Sequence, residues 1–146
     1  MVAFNKVDAF TLDLGIAAHN LTNGTTAVLK TALTNTAPTA ASTVWSTGAF
    51  PAPAAANGYT AGGNTPAFTS FTQTGGVAKL VLADTVFTAS AGGIGPFQYV
   101  VLYNTSSAGT ANKIIGWYNY GSAVTLADTE TFTVDFDPTL GALTIT

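Results

Sequence analysis

Cysteine is absent from the 146 residues, and so is arginine. Without cysteine there are no disulfides, thiolate metal sites or cysteine nucleophiles, although the compartment stays open. The four basic residues are all lysines, scattered at Lys6, Lys30, Lys79 and Lys113. A surface that tracks nucleic-acid phosphates needs clustered cations, so nucleic acid is not an expected partner. Charge is scarce overall, at 8% of residues against about 25% in an ordinary soluble domain. Disorder does not explain this, because it goes with low hydrophobicity and high charge, whereas 47% of this chain is hydrophobic. Nor does a membrane helix, since no run approaches the roughly 18 consecutive apolar residues of a span, and no membrane partner is expected. The start, Met-Val-Ala-Phe-Asn-Lys-Val-Asp-Ala-Phe, puts an acid where a signal peptide has its apolar centre. The mature chain is expected to begin here.

Thr, Ala, Ser, Asn and Gly fill the gap left by charge. They make a surface whose solubility rests on hydroxyls and amides. A net charge of −3 opposes self-association only weakly, which suits a chain that lives inside an assembly. The length fits one domain with a core large enough to need no staples.

The stretch Ile94-Gly-Pro-Phe-Gln-Tyr-Val-Val-Leu-Tyr-Asn104 concentrates β-branched and aromatic residues between a Gly-rich bend and a polar connection. That is the composition of a buried central strand. Residues 113–121 (Lys-Ile-Ile-Gly-Trp-Tyr-Asn-Tyr-Gly) carry the same chemistry across the connection 105–112, so the two read as a hairpin at the middle of a sheet. Further strands are expected at 26–34, 67–74, 77–82, 86–89, 124–126, 129–135 and 143–146. The run 129–135 alternates around Phe132 and Val134, with Phe136 extending the apolar face, and should have one wet face. Before it, residues 1–25 are an arm or a helix: Phe10, Leu14, Ala17 and Ala18 have helical spacing over 8–20, with Asp8 placed to cap. Asn23-Gly24 reads as a turn.

Residues 36–66, rich in Pro and Gly, are expected to be a long loop with a short helix over 39–46. Loops of this length are usually functional, so this one is read as contact-making, with 52–56 lying along a neighbouring surface. Leu82-Ala-Asp-Thr85 recurs as Leu126-Ala-Asp-Thr129. In each copy the Asp is expected to make an Asx turn. The whole reads as one mainly-β domain, an antiparallel two-sheet sandwich or jelly-roll-like fold. One or two short helices are expected in the N-terminal third, with the main β region at 67–146.

Candidate chemistry is thin. His19 is the only histidine, and no Gly-x-Ser-x-Gly elbow accompanies it, so it reads as a structural or surface residue near a turn. Asp128, Glu130, Asp135 and Asp137 lack the spacing of a calcium loop and read as turn and edge residues. The Gly92-Gly-Ile-Gly95 run lacks the Lys-Ser/Thr of a phosphate loop and leads into a strand. Three matches to the glycosylation sequon, at Asn20, Asn23 and Asn104, are expected by chance in a chain so rich in Thr and Asn. No catalytic residue, cofactor or metal is expected, and the protein is read as not an enzyme. Tyr118 and Tyr120 should share one strand face, opposite Trp117 and Asn119. A tyrosine-rich face marks a protein contact more often than a sugar site. With Trp45, Phe50 and Tyr59 of the long loop, these two tyrosines are the expected partner-contact residues.

Several phrases together resemble a family of small virion structural proteins of tailed bacteriophages and prophages. They are Leu29-Lys-Thr-Ala-Leu-Thr-Asn-Thr-Ala-Pro38, Asn57-Gly-Tyr-Thr-Ala-Gly-Gly-Asn64, the 94–104 stretch, Ile115-Gly-Trp-Tyr-Asn-Tyr-Gly-Ser122 and Leu126-Ala-Asp-Thr-Glu-Thr-Phe-Thr-Val-Asp-Phe136. The resemblance implies a capsid decoration or cement protein on the virion surface, with the major capsid protein as partner. A homo-oligomer, trimer or dimer, goes with that role. A tail tube or adaptor component and a carbohydrate-binding adhesin are the alternatives.

Overall fold

The structure, a computed structural model, describes residues 2–22, 28–105 and 111–146. The expected turn at Asn23-Gly24, the first residues of the 26–34 strand, most of the 105–112 connection and the sequons at Asn23 and Asn104 lie wholly or partly outside that range. The fold is mainly β and antiparallel, a sandwich of one larger sheet and two smaller ladders around a shared core.

Strands β6 (Ile94–Asn104) and β7 (Lys113–Leu126) form the central hairpin, as their composition predicts. They are flanked by β1 (Phe4–Lys6) and β2 (Leu29–Thr34) in the order β1-β7-β6-β2. From Val100 to Asn104 every residue is buried, on both faces of the pleat. Such a strand needs unbroken apolar sequence, which is why this run stands out. Strand β7 continues to Leu126 because the first half of β6 pairs with it, Phe97 opposite Val124 and Ile94 opposite Leu126. The separate strands expected at 113–121 and 124–126 are therefore one. β1 was not foreseen; three residues are too few to show a period. It docks because Gly116 opposite it has no side chain, and a Cβ there would strike the Asn5 carbonyl and the Phe4 ring.

A three-stranded ladder, β3 (Phe68–Thr74), β4 (Val77–Leu82) and β9 (Leu143–Ile145), and a two-stranded one, β5 (Thr85–Thr88) with β8 (Thr131–Val134), complete the sheets among the described residues. One core cluster joins them: Leu80, Leu82, Phe87, Val134, Phe136 and Leu143 pack with Ile94, Phe97 and Leu102 of the central hairpin. β8 alternates as predicted, with Thr131 and Thr133 exposed and Val134 buried. The two Leu-Ala-Asp-Thr copies precede β5 and β8, but neither Asp makes the expected local turn. Asp84 Oδ1 accepts the N–H of Phe136 at 2.9 Å, and Asp128 Oδ1 that of Gly92 at 3.3 Å. Each carboxylate thus reaches across the ladder to backbone just beyond the partner strand, where N–H groups leaving the sheet lack a ladder partner.

The one helix among the described residues is α1 (Ala9–Gly15), two turns inside the predicted 8–20. Asp8 occupies the N-cap without a side-chain capping bond. The stop is a Schellman arrangement: Ala17 sits at φ 56°, its N–H donates to Leu14 O, and the N–H of Ala18 donates to Asp13 O. Gly is usual at that position, and here it is Ala.

Residues 36–66 correct one expectation. No helix forms over 39–46; Trp45 N–H donates to Asn112 O and Ile114 N–H to Thr43 O, so Val44 bridges to the start of β7. Near its other end the segment pairs with β2, where Thr31 and Asn64 exchange backbone bonds at 2.8 and 3.0 Å. Gly63 is required there, because a Cβ would collide with the Thr31 carbonyl. The segment therefore bridges to the outer strand β2 and to the start of β7, two places where the large sheet would otherwise present unpaired backbone.

Candidate functional site

The five aromatic residues expected at a partner contact separate into two groups. Trp45, Phe50 and Tyr59 are 3%, 7% and 3% exposed and belong to the core. Trp45 stacks on Phe50 and on Tyr103, each at 5.6 Å, and Tyr59 stacks on Phe87 at 5.9 Å. The Tyr59 hydroxyl accepts the Leu33 N–H at 3.2 Å. Burial pushes the Tyr59 phenol above its ordinary range, and the Leu33 bond pulls the other way. These three are corrected from contact residues to core: a segment that must seal two sheet edges turns its largest apolar groups inward.

Tyr118 and Tyr120 share one face in the middle of β7, as strand parity predicts. They line a groove of about 160 Å³ together with Val2, Val100, Phe132, Thr133, Val134 and Asp135. Its floor follows from register, because Val100 and Tyr118 are directly opposed across β6 and β7, and Phe4 is opposed to Tyr118 on the other side. Its far wall is β8. Phe132 packs edge-on against Phe97 at 5.0 Å and against Tyr120 at 5.6 Å, which ties the wall to the floor. Tyr118 is steadied by Phe4 at 5.0 Å and Phe136 at 6.2 Å. Burial pushes its phenol up to about 12, so it stays a neutral donor and acceptor. Tyr120 is 53% exposed. A cavity of about 150 Å³ holds a benzene-sized group, so this one takes a single side chain or a small ligand.

A second polar feature lies on the N-terminal segment. Lys113 Nζ meets Asp13 Oδ1 at 2.7 Å, and His19 Nε2 lies 3.9 Å from Asp13 Oδ2. The His19 side chain is fully buried, against the Phe10 ring at 5.3 Å, and both its ring nitrogens and Asp13 Oδ2 lack a hydrogen-bond partner. Burial lowers the His19 pKa, Asp13 opposes that shift and Lys113 adds to it. His19 is structural in position, as read, but its charged neighbours were missed. A signal existed: Asp13 falls three residues after Phe10, on the apolar stripe of the helix, where an acid needs a partner. Among the described residues no cluster of three or more His, Asp or Glu is placed to hold a metal.

Asp128 Oδ1 binds the Gly92 N–H, and Glu130 Oε2 accepts the Ala127 N–H at 2.7 Å to close a turn. Asp137 accepts the N–H groups of Thr139 and Leu140, which hold its carboxyl below the usual range. Asp135 alone of these acids lines the groove. Compared with family models, characterised proteins and solved structures, the chain finds no match in any of the three.

Proposed function

We propose that this chain is a structural component of a tailed-bacteriophage particle, a decoration or cement protein. In this reading it binds the major capsid protein at repeated sites on the head surface, as a trimer or dimer, and stabilises the shell. The observation that carries the reading is one aromatic groove, Tyr118 with Tyr120 and Phe132, on a chain of which only 8% is charged. A surface of hydroxyls and amides has little long-range field, so its binding relies on shape and burial at such an opening. Each contact of this size is weak, and a lattice that repeats it many times compensates. The resemblance of the 94–104, 115–122 and 126–136 segments to phage virion proteins supports the same assignment.

The deciding experiment is copy number, by quantitative mass spectrometry of purified particles against the major shell protein. Hundreds of copies in simple ratio to the shell support decoration, and earlier heat release of genome from deletion particles then supports cementing. A handful of copies moves the protein to a tail tube or adaptor position. Absence from particles overturns the proposal. The exposed Tyr120 ring beside Phe132 favours one second reading, a carbohydrate-binding adhesin. Sugar affinity measured on the free chain would support it.

A further inference from the structure

We propose that Asp13 and Lys113 join in an isopeptide bond, made by the folded chain itself, with His19 carrying a proton between the reacting atoms. The product is an amide from Asp13 Cγ to Lys113 Nζ that ties the N-terminal helix to the central hairpin. This goes beyond the particle reading and stands or falls without it, since it concerns the free chain.

Three side chains on well-held backbone carry the argument. Lys113 opens β7, with Asn104 of β6 as its ladder partner and Val44 bridging to it. Asp13 lies in α1, and its own carbonyl closes the helix stop that precedes His19. Lys113 Nζ is 2.7 Å from Asp13 Oδ1, and His19 Nε2 is 3.9 Å from Asp13 Oδ2. A nitrogen bonded to a carboxyl oxygen at that distance sits roughly 3.5 Å from the carboxyl carbon, which is near-attack range. Attack then needs only that Nζ swing out of the carboxyl plane. The site is also dry. The His19 and Asp13 side chains are 0% and 5% exposed, and the Phe10 ring packs on the imidazole at 5.3 Å. Two charges that have given up their water gain little from pairing there, and a neutral amide is cheaper to bury. Asp13 Oδ2 and both ring nitrogens of His19 are buried with no hydrogen-bond partner. Such orphans are rare in folded proteins and mark reactive groups or enclosed water.

The step balances without a co-reactant. One proton passes from Nζ to Oδ1 along their hydrogen bond, leaving an amine and a carboxylic acid. The amine lone pair then forms the bond to Cγ. His19, kept neutral at pH 7 by its burial, takes a second proton from the nitrogen and delivers it to Oδ2. The Cγ–Oδ2 bond breaks with its electron pair going to Oδ2, which also takes the Oδ1 proton. One amide and one water result. Freshly folded chain thus holds the ion pair, and the amide accumulates from it with age.

The test is the intact mass of the purified chain, followed over several days at physiological temperature. Wild type is expected to lose the mass of one water, and digestion should then yield one branched peptide containing residues 13 and 113. Asp13→Asn should reach the same final mass by releasing ammonia, and Lys113→Arg should keep its full mass. His19→Leu should form the bond about a hundredfold more slowly. Wild type that stays at full mass while folded overturns the bond and leaves enclosed water as the explanation of the orphan atoms. Water loss that maps to other residues, or that persists in Lys113→Arg, overturns it as well. Bond formation at the wild-type rate in His19→Leu overturns the proton carrier. Should a variant fail to fold, the wild-type time course and its branched peptide decide the matter alone.

Discussion

Trp45, Phe50 and Tyr59 lie in a segment of irregular backbone and are buried; Tyr118 and Tyr120 lie in the longest strand and line an open groove. Intuition assigns exposure the other way round. The reason is geometric. Residues 36–66 bridge to the large sheet at Val44 with Lys113 and at Asn64 with Thr31, and between these anchors Trp45, Phe50 and Tyr59 turn into the core although the backbone does not repeat. A strand has two faces, and the face of β7 that carries Tyr118 and Tyr120 is only partly covered. Irregularity says nothing about exposure; what lies opposite does. Polar groups divide in the same manner. Asp13 is turned inward and is answered by Lys113 from 100 residues away, whereas Asp135 is exposed and has no hydrogen bond or ion pair among the described residues.

The sharpest way to break this comparison is Trp45→Ala. If the long segment is core, truncation removes two ring stacks from a side chain that is 3% exposed, and about 3–5 kcal/mol of unfolding free energy should be lost in urea. A loss under about 1 kcal/mol would return the segment to the surface. Next in size is Lys113→Met. It leaves a buried Asp13 without its cation and should cost about 3 kcal/mol. Adding Asp13→Leu to it should recover most of that, because a neutral apolar pair tolerates burial. If the double variant is as unstable as the single one, the ion pair is not what holds the N-terminal segment.

How far these features were legible depends on how many residues each needs to declare itself. The β6–β7 hairpin could be read because a strand buried on both faces shows unbroken apolar sequence from Val100 to Leu102 and again at Ile114 and Ile115. β8 could be read because its alternation lasts from Thr131 through Phe136. β1, with three residues, had no period to show, and its docking depends on Gly116, which lies more than 100 residues along the chain. The shared face of Tyr118 and Tyr120 follows from strand parity. That β8 would stand opposite them and bring Asp135 could not be inferred, since it depends on how a two-stranded ladder folds back over the central hairpin. The three inward aromatics were misplaced because Pro and Gly mark a break in regular structure, and a break was taken for exposure.

Acid sharpens the inward half of the comparison with a smaller effect. His19 is held neutral by burial, so its folded pKa lies below 6.5. As pH falls through 6.5 the unfolded chain takes up the proton first, and the stability difference is lost progressively toward the folded pKa. The slope is bounded by one proton, about 1.4 kcal/mol per pH unit. His19→Leu should flatten the profile between pH 7 and 5. A wild-type curve that is already flat there would mean the imidazole is not confined. Asp137 acts in a lower window: its carboxyl is held down by the Leu140 and Thr139 N–H groups, so its contribution is present above 3.8 and disappears below it.

Tyr120→Ala should have the smallest effect on stability and the most specific effect on recognition. Its ring is 53% exposed, and its one ring contact among the described residues is the edge-on approach to Phe132. An aromatic pair of this kind contributes about 0.5–1.5 kcal/mol beyond area burial when packed, and solvent exposure puts this one at the low end. A change of about 0.5 kcal/mol in the urea midpoint is therefore expected, several-fold below Trp45→Ala. Attachment to particles, in contrast, should weaken markedly, because anchors at contacts are large side chains in places where the fold itself has little use for them. The pair of measurements decides whether the two groups of aromatics differ in kind. If Tyr120→Ala costs as much stability as Trp45→Ala, the groove is a fault in packing that the ring repairs. If it costs little and attachment is lost, the fold leaves that ring exposed in order to hold it out to a partner.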